Sequence, residues 1–135
     1  MASGNGDLAT RIEQRLPAGA AAVWTQLVRR DESRADTLDA EVRGYLEALA
    51  ELAKTNESLN LEAARRVGDH CTSLIEKYGA HARADVRKVV QATVAYFIED
   101  DDEEGDTTSI IGFDDDALVV RVAAEALEAE LGDGA

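Results

Sequence analysis

Along most of this chain the apolar positions recur every three or four residues, the spacing of an amphipathic helix rather than the alternation of a half-buried strand. From Leu8 to Leu16 the pattern predicts a short helix, stopped by the sequence PAG. A second helix is predicted over Ala20 to Arg30, with Val23, Trp24, Leu27 and Val28 on one side. After the polar break RRDESRAD, the run from Thr37 to Lys54 carries Leu38, Val42, Tyr45, Leu46, Leu49, Leu52 and Ala53 at helical intervals. The clearest segment is NLEAARRVGDHCTSLIEKYGA, which sets Leu61, Ala64, Val67, Cys71, Leu74, Ile75 and Tyr78 on one stripe. Asn60 is its expected N-cap, Glu62 suits its first turn, and Gly79 is its expected stop.

The stretch ADVRKVVQATVAYFIED follows with Val86, Val89, Val90, Thr93, Val94 and Phe97 in phase. Its β-branched residues would suit a strand, but its length and period favour a helix. A last helix, DDALVVRVAAEALEAEL, aligns Leu118, Val119, Val122, Ala126 and Leu127, with Asp114, Asp115 and Asp116 at the start, where carboxylates cap and meet the positive end of the helix dipole. Between these two helices runs an irregular segment from about Asp100 to Phe113. The expected architecture is all-α: a single-domain bundle of five or six helices spanning 8–131, with one long acidic loop between the last two, a disordered leader over 1–7 and a frayed end over 132–135. No internal repeat or coiled-coil heptad run is present.

Composition sharpens this picture. At 135 residues and 45% hydrophobic the chain can bury one core, and 4% aromatic content suits helices packing through small side chains. Net charge is −14, and it is unevenly placed. Residues 1–90 are nearly neutral at net −1, whereas 91–135 carry 14 Asp and Glu against the lone Arg121. Ten carboxylates fall between Glu99 and Asp116 with no lysine or arginine among them. Such a field repels phosphate backbones and anionic headgroups, so neither a nucleic acid nor a membrane is an expected partner, and a basic protein is. A single cysteine, Cys71, permits no internal disulfide, no apolar run approaches a membrane span, and the first residues lack the basic-then-apolar order of a signal peptide. A cytoplasmic location is the expectation.

The run YFIEDDDEEGDTTSIIGFDDDA resembles the YkvA-like family of small helical bacterial domains, whose signature reads roughly A-Y-x-x-x-P-x-D-L-I-P-[DE], five residues, then G-[YF]-x-D-D. Ala95, Tyr96, Asp102, Asp106, Gly112, Phe113, Asp115 and Asp116 fall on matching positions without a gap. Where the family has prolines this chain has Asp100 and Gly105, and where it has Leu-Ile this chain has Glu103 and Glu104. The resemblance covers about residues 83–127. It implies a helical fold and, since the family has no established activity, no catalytic residue.

The acidic stretch admits three readings. The leading one is a non-enzymatic protein-binding module whose recognition surface is Asp100, Asp102, Glu103, Glu104 and Asp106, with no cofactor. An alternative is a module responsive to Ca²⁺ or Mg²⁺, hard cations that take several oxygen ligands, with Asp102, Asp106, Asp115 and Asp116 as the ligands. The EF-hand register fails, because its twelfth position would be Ile111. The third is an acidic mimic of nucleic acid or an immunity-type protein, which would call for carboxylates spread over a face rather than gathered in one segment. Aspartyl phosphate-transfer chemistry lacks the strand-rich context it needs, and no glycine-rich phosphate loop or Ser/His/Asp arrangement is present. Helical spacing places Cys71 between Val67 and Leu74, and His70 about 100° away from it; His70, Cys71 and His81 read as structural, as do Trp24, Tyr45 and Tyr96.

Overall fold

The computed structural model describes residues 8–32, 34–57, 60–98 and 114–131, without the side chains of Asp114 and Asp115. These residues form six helices, and no strand occurs among them: α1 (Leu8–Arg15), α2 (Ala18–Val28), α3 (Ala35–Ala53), α4 (Leu61–Tyr78), α5 (Ala84–Ile98) and α6 (Asp114–Leu131). One hydrophobic cluster joins all six. The leader over 1–7, the tail over 132–135 and the acidic segment over 99–113 lie outside the described residues.

α5 is the centre of the assembly, and each of the other five helices packs against it. Val86, Val89, Val90, Ala92, Thr93, Val94 and Phe97 are fully buried, and Gln91 and Ala95 nearly so. A helix apolar on every face belongs in a core, and the two polar residues inside this one are satisfied. The Thr93 hydroxyl donates to the Val89 carbonyl at 2.8 Å, and the Gln91 amide donates to the Asp31 carbonyl at 2.6 Å. The latter bond, with Arg87 reaching Glu32 at 2.9 Å, fastens α5 to the link between α2 and α3.

The other helices each turn one face to the core. α1 buries Leu8 and Ile12, one turn apart; α2 buries Ala20, Trp24 and Leu27; α3 buries Leu38, Val42 and Leu49. The expected stripes are wider than the buried ones: Val23 is 52% exposed and Leu52 39%. At the start of α4 the Asn60 side chain accepts the Ala63 N–H at 2.9 Å, the expected cap. Gly79 ends the helix as expected, but not through a left-handed turn, since its φ is −65°. Space is what requires glycine there: a Cβ would stand 3.2 Å from the Ala35 Cβ and 2.5 Å from the Ile75 carbonyl oxygen. Gly68 likewise admits α3, where a Cβ would meet Leu46 at 2.7 Å.

Ion pairs tie α6 to the front of the chain. Glu130 accepts from both Arg11 of α1 and Arg83 just before α5, the latter at 3.0 Å, and Glu125 accepts from Arg15. Hydrogen bonds from Arg11 and then Arg83 hold the Glu130 carboxyl below the usual carboxylate range. A depressed folded-state value contributes stability that is present above the unfolded pKa near 4.3 and lost as pH falls through the folded value. Glu130→Gln is therefore expected to cost about 0.5–1 kcal/mol at neutral pH and low salt. The difference from wild type should shrink in high salt and vanish in acid, as measured by urea unfolding across pH; a pH-independent loss would mean the pairs contribute only packing.

Candidate functional site

The two helices that flank the centre on one side, α4 and α6, touch along their inner faces and part toward solvent. Their separation follows from side-chain size. On the α6 wall stand Ala117, Leu118, Val120, Arg121, Ala124 and Glu128; His70, Ser73, Leu74, Lys77 and Tyr78 form the α4 wall. Ala117, Ala124 and Ser73 are too short to meet across the gap, so a groove of about 570 Å³ stays open. That size lies within the range of small-molecule sites, ~300–1,000 Å³. Leu74, Tyr78 and Val120 are buried at its floor and Leu118 is half-buried, while His70, Lys77, Arg121 and Glu128 are exposed at its rim.

Cys71 and Asp116, on the same two helices, do not line the groove. Both are completely buried, Cys71 on the core stripe of α4 and Asp116 in the first turn of α6. Burial pushes the Cys71 thiol well above its ordinary range, and the Asp116 charge pushes it further. The thiol is thus held as a neutral, small apolar group. Asp116 thus stands in its expected place in the first turn of α6, and is completely buried there. The signal is in the sequence, because Asp116 lies three and four residues before Val119 and Val120, which are buried on the same face.

Of the residues singled out from the sequence, Asp100, Asp102, Glu103, Glu104 and Asp106 lie outside the described residues, as does the side chain of Asp115; Asp116 alone of the four possible cation ligands is placed. Among the described residues no group of three or more His, Cys, Asp or Glu side chains comes together as a metal site. No described helix is long and apolar enough to cross a membrane. His81 accepts the Arg83 N–H through Nδ1 at 3.0 Å, a local turn contact, and Trp24 is fully buried. Tyr45 meets Phe97 edge to face, with ring centroids 5.0 Å apart. His70, read from spacing as structural, is exposed on the α4 wall of the groove. What the sequence does not disclose is the pairing of α4 with α6, which sets Lys77 and Arg121, 44 positions apart, on one opening.

Compared with protein-family models, with curated proteins and with solved structures, the chain shows no match.

Proposed function

We propose that this protein is a non-enzymatic binding module whose acidic segment, centred on Asp100, Asp102, Glu103, Glu104 and Asp106, recognises a basic protein. One observation carries the reading: 14 carboxylates against a single arginine in the last 45 residues. Self-repulsion on that scale destabilises a compact chain, while it steers a basic partner in and offers charge-assisted hydrogen bonds. Anchoring of the segment's two ends supports the same reading. It leaves the end of α5, the most buried helix, and enters α6, which packs against α5. A partner held by the segment is thereby held by the core. The YkvA-like resemblance over 83–127 enters as part of this proposal, carried by its eight matched positions.

The test replaces Asp100, Asp102 and Asp106 by Asn and Glu103 and Glu104 by Gln, together. The variant is expected to keep its helical circular dichroism, or gain thermal stability as repulsion falls, and to lose basic partners that wild type retains in affinity capture. Those complexes should also dissociate as NaCl rises, because exposed charge pairs are screened over about 10 Å at 0.1 M salt. An unchanged set of captured proteins overturns the proposal. Melting of EDTA-treated protein in Ca²⁺ or Mg²⁺ against NaCl of matched ionic strength separates the cation-responsive reading, in which stabilisation is saturable and reversed by chelator.

A further inference from the structure

We propose that the groove between α4 and α6 is a binding site for an amphiphilic anion, an unbranched apolar chain ending in a carboxylate. The proposal rests on described helices alone and is independent of the acidic segment. The floor formed by Leu74, Tyr78 and Val120 offers apolar surface to the chain. At the rim, Lys77 from one wall and Arg121 from the other supply cations to the head.

Those two cations face the groove from opposite walls without an ion-pair partner among the described residues. Among the described residues, Arg11, Arg15, Arg34, Arg43, Lys54, Arg66, Arg83 and Arg87 are each held in an ion pair. Neither Lys77 nor Arg121 is in an ion pair among the described residues, although carboxylates outnumber cations two to one. Arg121 is also the lone basic residue beyond position 90. Glu128 stands on the same rim and Glu125, held by Arg15, lies within electrostatic reach of Arg121; of the charges that line the groove itself, two are positive and one is negative. An arginine fork matches a carboxylate in geometry, and lysine adds a mobile point charge beside it.

The charge of the whole molecule makes the proposal sharply testable. A net charge of −14 attracts cationic amphiphiles and repels anionic ones, so non-specific adsorption would favour the cation. Preference for the anion requires local cations. The experiment is calorimetric titration of the full chain with monomeric dodecanoate, and with dodecyltrimethylammonium as the oppositely charged chain. Saturable one-to-one binding of dodecanoate is expected, at least tenfold tighter than the cation. The double variant Lys77→Gln with Arg121→Gln should weaken it tenfold or more. Ala124→Leu, which fills the groove without touching its charge, should remove binding while melting close to wild type.

Equal or tighter binding of the cationic chain overturns the proposal, as does no binding of dodecanoate, or binding that both variants retain. Phosphatidylglycerol vesicles form the last arm. Association with vesicles in the absence of dodecanoate binding would make the surface a membrane contact and overturn it too.

Discussion

Phe97→Ala is expected to lower the stability of this protein by about 3–5 kcal/mol, the range for removing an enclosed aromatic ring. Phe97 is fully buried on the helix that every other helix contacts, so the cavity left by its ring has walls on all sides. Its edge-to-face contact with Tyr45 disappears as well, a geometry that contributes about 0.5–1.5 kcal/mol beyond the area it buries. Domains of this size are stable by roughly 5–15 kcal/mol in total. The melting temperature should therefore fall by about 10–20 °C. Trp24, the protein's one tryptophan and fully buried, supplies a fluorescence signal for the transition. Val23→Ala on the exposed flank of α2 is the matched control and should change stability by less than about 0.5 kcal/mol. A loss below about 1 kcal/mol for Phe97→Ala would mean that α5 is not the enclosed centre of the bundle.

The period of the apolar positions is enough to find all six helices, because each buries a stripe whose spacing is set by local helix geometry. Their ends lie within about two residues of the expected ones, the ordinary slack of frayed termini. Less legible is which helix is central. The sequence of α5 shows a stripe of valines with Phe97, yet it also buries Gln91, Ala92 and Ala95 on its other faces. Alanine carries little hydrophobic signal, and a buried glutamine reads as a surface residue until its partner, the Asp31 carbonyl, is known. Val23 and Leu52 depart in the opposite direction, since an apolar residue at the stripe's edge stays exposed when no neighbouring helix covers it.

Long-range pairings are out of reach for a similar reason. Nothing local marks Glu130 as the partner of both Arg11 and Arg83, or Arg121 as the neighbour of Lys77 across a groove. Those relations depend on how helices dock, whereas capping by Asn60 depends on four consecutive residues and is legible in them. The groove itself arises where side chains are short, and an alanine on an exposed helix face looks the same in sequence whether or not another helix stands opposite it.

Cys71 should report the integrity of the α4/α6 contact through two large effects. It is the protein's one thiol and is completely buried, so its reaction with a disulfide reagent at pH 8 requires opening of the structure. Labelling of the folded protein is expected to be slower than that of the urea-unfolded chain by a factor on the order of 10³ or more. The second effect is on stability in alkali. Burial, reinforced by the Asp116 charge, raises the thiol's pKa in the folded state. A raised value gives a contribution that is fully present below the unfolded thiol's pKa near 8.5 and is lost as pH climbs from there toward the folded value. The slope is about 1.4 kcal/mol per pH unit, because only the unfolded chain releases the proton. Wild type should thus lose about 2 kcal/mol more than Cys71→Ala between pH 8 and pH 10, measured by urea unfolding. Lysines and tyrosines titrate in both proteins, so the difference isolates the thiol. Parallel pH profiles, or labelling at the rate of the unfolded chain, would place Cys71 at the surface and separate α4 from α6, and with them the walls of the groove.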